Sequence, residues 1–242
     1  TCALPISNGL RLLKLINDLL DLVRLESGKM KVHAVETDIK ELVRGLASAC
    51  RVVAQERRIA LNTQVAPEVG TVLIDADKLE KILLNLLFNA LKFTPPGGSI
   101  DLSAEIRGRE LAIEVRDTGP GIDDQTLPRV FERFYQAADG NSGRFPGAGI
   151  GLALVRELTQ VMKGRVNVES KEGAGAKFTL LFPHEQRRTS DSVAVRGGSS
   201  RQSASDEKAP DEEASGERAR RESGSDTGLH NSEWLSQLHR RA

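Results

Sequence analysis

The sequence has few of the features that hold a fold together covalently or anchor it in a bilayer. Cysteine occurs only twice in 242 residues, as Cys2 and Cys50, and their spacing matches neither a disulfide framework nor a zinc motif. No apolar run approaches the roughly 18 residues that a membrane-spanning helix needs. We therefore expect a protein of the reducing cytoplasm, and any membrane anchor of a longer parent protein is expected upstream of Thr1.

Net charge is also absent, since 34 lysine and arginine residues balance 34 acidic ones. A balanced net charge gives no indication of nucleic acid or an anionic membrane surface as partner, and no nucleic acid is expected. The length allows one or two domains. The opening residues, TCALPI, lack an initiating Met and fit no pattern that follows, so we expect them to be the end of a fragment or a cloning scar.

The most informative segment is residues 77–94, DKLEKILLNLLFNALKFT. At about 100° per residue, Asn85, Asn89 and Lys92 fall in one narrow stripe of a helix, with leucines on both flanks. Two amides and an ammonium beside apolar packing need partners, and a nucleotide with Mg²⁺ would supply them. Alternatively, the asparagines bond to neighbouring backbone and Lys92 complements the helix dipole. This segment alone does not decide between the two.

Residues 8–26 predict a helix of a bundle. Ile16, Leu19 and Val23 repeat at steps of three and four, and further leucines widen the stripe, while Asp18 and Asp21 lie on the other side. So many leucines predict a large interface. The partner helix is not in this chain.

The following residues predict a layered α+β domain. A helix capped by Asp38 is followed by strands at 59–65 and 71–74, and after the central helix come strands at 100–106, 111–116, 165–169 and 177–182. Apolar residues alternate with polar ones in the first hairpin, so one sheet face is expected to be covered and the other wet. From about residue 185 the apolar content is too low for a packed core, which predicts a disordered tail.

Two glycine motifs flank the end of this sheet. Asp117 opens DTGPGI at a strand end, where its carboxylate could accept a hydrogen bond from the amine of adenine. Residues 127–135 predict a short helix presenting Phe131 and Phe134, and residues 136–146 predict a mobile lid. The motif GAGIGL at 147–152 then opens a helix whose free backbone N–H groups favour phosphate. Each motif alone is weak, but their order is specific.

Together, NLLFNALKFT, DTGPGI, FERF and GAGIGL resemble the N, G1, F and G2 boxes of sensor histidine kinases, in order and spacing, and residues 8–26 resemble the second helix of that family's dimerisation domain. The resemblance covers residues 8–183. It implies a Bergerat α/β sandwich, a mixed sheet with helices on one face, that binds ATP and Mg²⁺. It divides the chain into a dimerisation-domain remnant at 1–28, a catalytic domain at 29–184 and the tail at 185–242.

The resemblance also implies roles for individual residues. Asn89 would ligate Mg²⁺, Asn85 and Lys92 would contact phosphate or metal, and Asp117 would read adenine. Gln136 stands where many members carry Arg, so Arg133 or Arg144 is expected to neutralise the γ-phosphate instead. The remaining nucleotide contacts are expected from Gly119, Gly121, Ile122, Phe131, Gly147, Gly149, Ile150, Gly151 and Leu152. Related gyrase and chaperone ATPases carry a glutamate at the position of Asn85, and an amide is no general base.

The expected partners follow from the same resemblance: a histidine-bearing dimerisation helix, a response-regulator receiver domain and a second copy in the full-length protein. The family's acceptor histidine is not present here, and Ala176 stands where many members carry Thr or Ser. Two alternatives stay open. One is a degenerate nucleotide-binding module that regulates a partner without phosphoryl transfer, and the other is a gyrase- or chaperone-type ATPase, which Asn85 disfavours.

Overall fold

The computed structural model describes residues 16–135 and 149–184. The helices in these ranges are α1, helical over 16–26, α2 (Ile39–Glu56), α3 (Ala76–Phe93) and α4 (Gly151–Val161). The strands are β1 (Val35–Asp38), β2 (Ala60–Val65), β3 (Thr71–Ile74), β4 (Ser99–Arg107), β5 (Glu110–Asp117), β6 (Arg165–Ser170) and β7 (Ala176–Pro183). The predicted helix at 77–94 and all six predicted strands are confirmed to within two residues at each end.

Five strands form one mixed sheet in the order β2-β4-β5-β7-β6, and β1 pairs antiparallel with β3 in a separate small sheet. The pairs β4–β5, β5–β7 and β7–β6 are antiparallel, whereas β2 runs parallel to β4. Parallel neighbours require a crossover, and here α3 lies between β2 and β4 in sequence. The predicted α+β class with a mixed sheet is confirmed.

One face of the large sheet carries the core. Ile100, Leu102, Ile113 and Leu180 are completely buried there, against apolar residues of α2, α3 and α4. On the opposite face, side chains such as Asp101 remain partly exposed to water. The alternation in β4 therefore predicted correctly which face the helices cover.

Helix α2 begins where the sequence predicts. The side chain of Asp38 accepts a hydrogen bond of 3.0 Å from the Glu41 amide and so caps the first turn. Cys50 lies on the buried stripe of this helix, and burial raises the pKa of its thiol to about 11. Cys50 is therefore an inert core residue, as its position predicts.

Helix α3 begins with an acidic cap of its own. Oδ1 of Asp75 accepts from the Lys78 amide at 3.1 Å, while Oδ2 accepts from the His33 amide at 2.8 Å and from Lys78 Nζ at 2.6 Å. Burial acts to raise the pKa of this carboxyl, but the bonds from Lys78 and His33 together outweigh it and lower the pKa. Asp75 thus fixes the start of the central helix and ties the preceding extended segment to it.

Helix α1 meets the domain through a mixed edge and not through the stripe of Ile16, Leu19 and Val23. Asp21 forms an ion pair with Lys81 of α3, and Leu22 is buried against the core. The predicted apolar stripe, by contrast, is exposed, with Ile16 at 44% and Val23 at 53% of full exposure. The large interface expected for this stripe remains a prediction.

The predicted helix at 127–135 is wrong. Only Leu127–Arg129 form a single 3₁₀ turn, and Phe134 has a φ of 62° with its side chain 63% exposed. Pro128 lacks an N–H, and the amide of Phe134 donates to the Gly149 carbonyl at 2.8 Å instead of to a preceding turn. This long-range bond cannot coexist with a continuous helix.

The predicted lid and tail lie outside the described residues. In the described part of the chain, no helix combines the length and the apolar content that crossing a bilayer requires.

Candidate functional site

The polar stripe of α3 is formed as predicted. Asn85 is only 7% exposed, and its Nδ2 donates to the Lys81 carbonyl at 2.9 Å, which orients the amide. Its Oδ1 then faces the start of α4, since a Cβ placed on Gly151 would lie 3.1 Å from it. Asn89, one turn further on, is half-buried and has no side-chain hydrogen bond among the described residues. Two amide oxygens are therefore presented along one edge of this helix.

Lys92 ends the stripe. It is half-buried, and its Nζ lies 4.6 Å from the ring centroid of Phe93. A cation over an aromatic face is stabilised by the ring quadrupole. Lys92 is thus held at the end of the stripe, one turn beyond Asn89.

Asp117 occupies the last position of β5 and is 8% exposed. The Gly119 amide donates to its Oδ1 at 2.8 Å, and the Ala176 amide also bonds to the carboxyl. Burial raises the pKa of Asp117, and the two backbone donors oppose that shift without cancelling it. A buried carboxylate with acceptor capacity left over suits a ligand that brings its own N–H donor.

The residues after Asp117 are packed so closely that side chains would collide. A Cβ on Gly119 would lie 2.8 Å from Asp117 Oδ1 and 3.3 Å from the Phe93 carbonyl. Gly121 has a φ of 76°, and a Cβ there would collide with the Lys171 carbonyl. The G1-box glycines therefore let three backbone segments meet beside the carboxylate.

Ser170 stabilises this meeting point and was missed by sequence reasoning. Its Oγ accepts from the Ile122 amide at 2.9 Å and donates to the Gly175 carbonyl at 2.6 Å. One hydroxyl thus joins the loop after β5 to the turn before β7. A lone serine at a strand end gives no recognisable sequence signal.

The start of α4 is open. Gly149 has a φ of 68° and lies directly against the backbone of Phe134. Ile150, at the N-cap position, provides no side-chain hydrogen bond to the first turn. Among the described residues no side chain caps the first N–H groups of α4, and these groups lie beside Asn85, an arrangement that suits an anion.

The predicted arginines and aromatic are placed as follows. Phe131 packs edge-to-face on Phe178, with ring centroids 6.3 Å apart, and so belongs to the edge of the core. Arg133 forms an ion pair with Glu26 of α1 and lies 3.8 Å from Glu157 of α4. Arg144 and Gly147 lie outside the described residues. Ile122 and Leu152 are half-buried against the core, and Ile150 is buried.

The structure thus brings most of the predicted residues to one end of the sheet. Asn85 meets Gly151 of α4, and the end of α3 meets Gly119 beside Asp117. Among the described residues Arg133 is the exception, because its side chain pairs with Glu26 of α1 and Glu157 of α4, and neither of these is a predicted site residue. Groups of three or more His, Cys, Asp or Glu that could hold a metal do not occur among the described residues.

Comparison with known proteins gives a consistent result. Residues 74–186 match the family of histidine kinase-, DNA gyrase B- and HSP90-like ATPases. Hybrid signal transduction histidine kinase D of Dictyostelium discoideum is 36% identical over 183 residues, which are 73% of this chain and 12% of that protein. Sensor histidine kinase RcsC of Escherichia coli K12 is 35% identical over 173 residues, 71% of this chain and 18% of that protein.

Solved structures agree in fold. Full-length ShkA in complex with AMPPNP superposes with a TM-score of 0.66 at 36% identity, covering 74% of this chain and 37% of that one. Residues 74–186 of this chain therefore form an ATPase domain of the histidine kinase type. The nucleotide-free catalytic domain of histidine kinase ThkA, at 22% identity and a TM-score of 0.55, shares the fold over 62% of this chain and 95% of its own.

The chain spans only 12% to 24% of the curated histidine kinases that it matches. The family match at residues 74–186 and the histidine kinase relatives confirm the resemblance to sensor histidine kinases.

Proposed function

We propose that this chain is the ATP-binding catalytic part of a sensor histidine kinase and transfers the γ-phosphoryl group of Mg-ATP to a histidine on a dimerisation helix. The observation that carries the proposal is the position of Asn85, a nearly buried amide whose Oδ1 faces the uncapped start of α4. An oriented amide next to the backbone N–H groups of a helix start suits a phosphate chain with its counter-ion.

In this proposal the adenine lies at Asp117. The carboxylate already accepts two backbone N–H groups and would accept a third from the exocyclic amine. Guanine carries a carbonyl at the corresponding position, so its oxygen would face a carboxylate. The proposed site is therefore selective for adenine over guanine.

The residues present fit a magnesium ion that arrives with its nucleotide. Mg²⁺ in such sites is held by one or two protein oxygens together with phosphate oxygens and water. Asn89 offers an amide oxygen without a protein partner among the described residues, and Asn85 offers Oδ1. We propose Asn89 as the metal ligand, with Lys92 on the phosphates and with Asn85, whose Oδ1 is an acceptor, on the metal. The bound ion would neutralise charge on the phosphate chain.

The amide at position 85 also bears on the choice of acceptor. An amide cannot remove a proton from water, so attack by water should be slow and ATP should persist until a histidine is presented. The proposed acceptor histidine lies on a dimerisation helix of the parent protein or of a second copy. The proposed next acceptor is a response-regulator receiver domain. Arg133 or Arg144 remains the proposed γ-phosphate arginine.

Phosphoryl transfer to a separate polypeptide tests the proposal. The chain is mixed with γ-labelled ATP and a polypeptide that carries the family's first dimerisation helix, and acid-labile phosphohistidine is measured. Label is expected on that polypeptide and not on the chain alone, with Asn89→Ala as the inactive control. Binding of ATP without any transfer would favour a regulatory nucleotide-binding module, and rapid steady phosphate release would favour a gyrase-type ATPase.

A further inference from the structure

The last turn of α3 is short of backbone donors. The Ala90 carbonyl accepts from the Thr94 amide at 2.9 Å, which completes the regular helical pattern up to that residue. The next two carbonyls, those of Leu91 and Lys92, would need the N–H groups of residues 95 and 96. Both of these residues are proline and have no N–H.

Arg57 supplies both missing donors. Its Nη1 donates to the Leu91 carbonyl, and its Nη2 donates to the Lys92 carbonyl at 3.3 Å. A guanidinium presents two parallel N–H groups in a rigid plane, which a lysine ammonium does not. Its positive charge also lies at the negative end of the helix dipole, where a cation is stabilising.

The backbone fixes Arg57 in this place. Its own amide donates to the Val53 carbonyl at 3.1 Å, as the C-cap of α2, and the next carbonyl, that of Arg58, accepts from Gly97 at 2.7 Å. The end of α2 is therefore joined to the end of α3 twice, by the Arg57 side chain and by the Arg58 carbonyl. The half-buried guanidinium closes this junction.

We propose that Arg57 is a positioning residue of the nucleotide site, acting through Lys92. The proposal rests on the proposed function, in which Lys92 contacts the phosphates. Without Arg57, two carbonyls at the helix end lose their donors, so the last turn unwinds more readily. The backbone of Lys92 is then no longer held in one place on the polar stripe, one turn beyond Asn89.

A double-mutant cycle on the full 242-residue chain tests this role. Calorimetry measures the Kd of Mg-ATP for the unaltered chain, Arg57→Met, Lys92→Met and the double variant. Arg57→Met is expected to raise the Kd about three- to tenfold when Lys92 is present and less than about twofold when it is Met, because residues that act as one unit are not additive. Arg57→Lys should give an intermediate value.

Hydrogen exchange supplies a readout without nucleotide. Arg57→Met should speed exchange of the amides in the last turn of α3, while amides of its first turns stay unchanged. Arg51→Met is the matched control, since Arg51 lies on the same helix as an exposed side chain without an ion pair among the described residues. It should alter neither the exchange nor the Kd.

Three results would overturn the proposal: unchanged exchange in Arg57→Met, equal rises in Kd in both backgrounds, or a rise matched by Arg51→Met. A variant that fails to fold would show itself by rapid exchange throughout, and Arg57→Lys then carries the cycle. An unaltered, folded chain that gives no heat with Mg-ATP contradicts the proposed function itself and removes the role assigned to Arg57, which is a different outcome from an additive cycle.

Discussion

Replacing Asp117 by Asn should separate nucleotide binding from stability. The new carboxamide has only one oxygen left to accept from the backbone amides of Gly119 and Ala176. Its NH₂ would then face the amine of adenine, which is also a donor. A hydrogen bond to a charged group contributes roughly 1.5–3 kcal/mol, so the Kd of Mg-ATP should rise about 10- to 150-fold. The same NH₂ can donate to guanine, so the preference for ATP over GTP should shrink.

Without nucleotide, Asp117→Asn should be as stable as the unaltered chain or more stable. Because burial raises the pKa of Asp117, the charged carboxylate is less favourable in the folded chain than in the unfolded chain at neutral pH. Asn removes that charge, so the midpoint of thermal unfolding should stay the same or rise. Loss of affinity in Asp117→Asn would therefore not reflect unfolding.

The affinity for ATP should also depend on pH, in a direction that the raised pKa of Asp117 sets. The carboxylate form is the one that accepts from adenine, so affinity should fall as the pH is lowered through the raised pKa of Asp117, beginning above the pH at which an ordinary aspartate protonates. Asp117→Asn should lack this loss, and using it as the reference cancels the titration of the nucleotide itself.

Calorimetry with ATP and GTP measures these effects, with Asp101→Asn as a matched change of charge on the wet face of the sheet. The reasoning is refuted if Asp117→Asn binds ATP within twofold of the unaltered chain. It is equally refuted if Asp101→Asn loses as much affinity.

Three further predictions concern α3 and its contacts. Gly151→Ala should weaken Mg-ATP binding in calorimetry by displacing the Asn85 amide, 3.1 Å from the new Cβ, while the unfolding midpoint does not fall, because alanine favours a helix by about 0.5–1 kcal/mol over glycine; a lower midpoint with unchanged affinity would contradict this. Asp75→Asn should reduce the free energy of unfolding in urea by about 1–2 kcal/mol at pH 7, because the amide loses the charge that Lys78 Nζ contacts, and the difference should shrink as the pH falls through the lowered pKa of Asp75; a pH-independent difference would be inconsistent with this charged contact. Thr94→Val should leave the urea midpoint unchanged or raise it, since Thr94 Oγ1 is buried without a hydrogen-bond partner in the described part of the chain, and a loss above about 1 kcal/mol would show that the hydroxyl has one.

Local patterns predicted those parts of the fold that local physics determines. The two-residue alternation in β4 and the helical stripe of α3 each reflect one covered face, and both are present in the structure. The cap at Asp38 is equally local, since donor and acceptor are three residues apart. The positions of Asn85 and Asp117 could be predicted for the same reason.

Long-range contacts determined what local patterns could not show. Phe134 takes a left-handed conformation because its amide bonds to Gly149, and nothing in residues 127–135 indicates that bond. The side of α1 that meets the domain is likewise set by the pairing of Asp21 with Lys81, which are 60 residues apart. Arg57 is the same kind of case, because the prolines that leave two carbonyls without donors lie far along the chain from the arginine that serves them.

Titrating the folded chain with Mg-ATP in a calorimeter tests the central claim most directly. Saturable one-site binding in the micromolar to millimolar range is expected, the usual span for an enzyme and its nucleotide, with a clear weakening in Asn89→Ala. A protein that unfolds cooperatively on heating yet releases no heat with Mg-ATP would contradict the account.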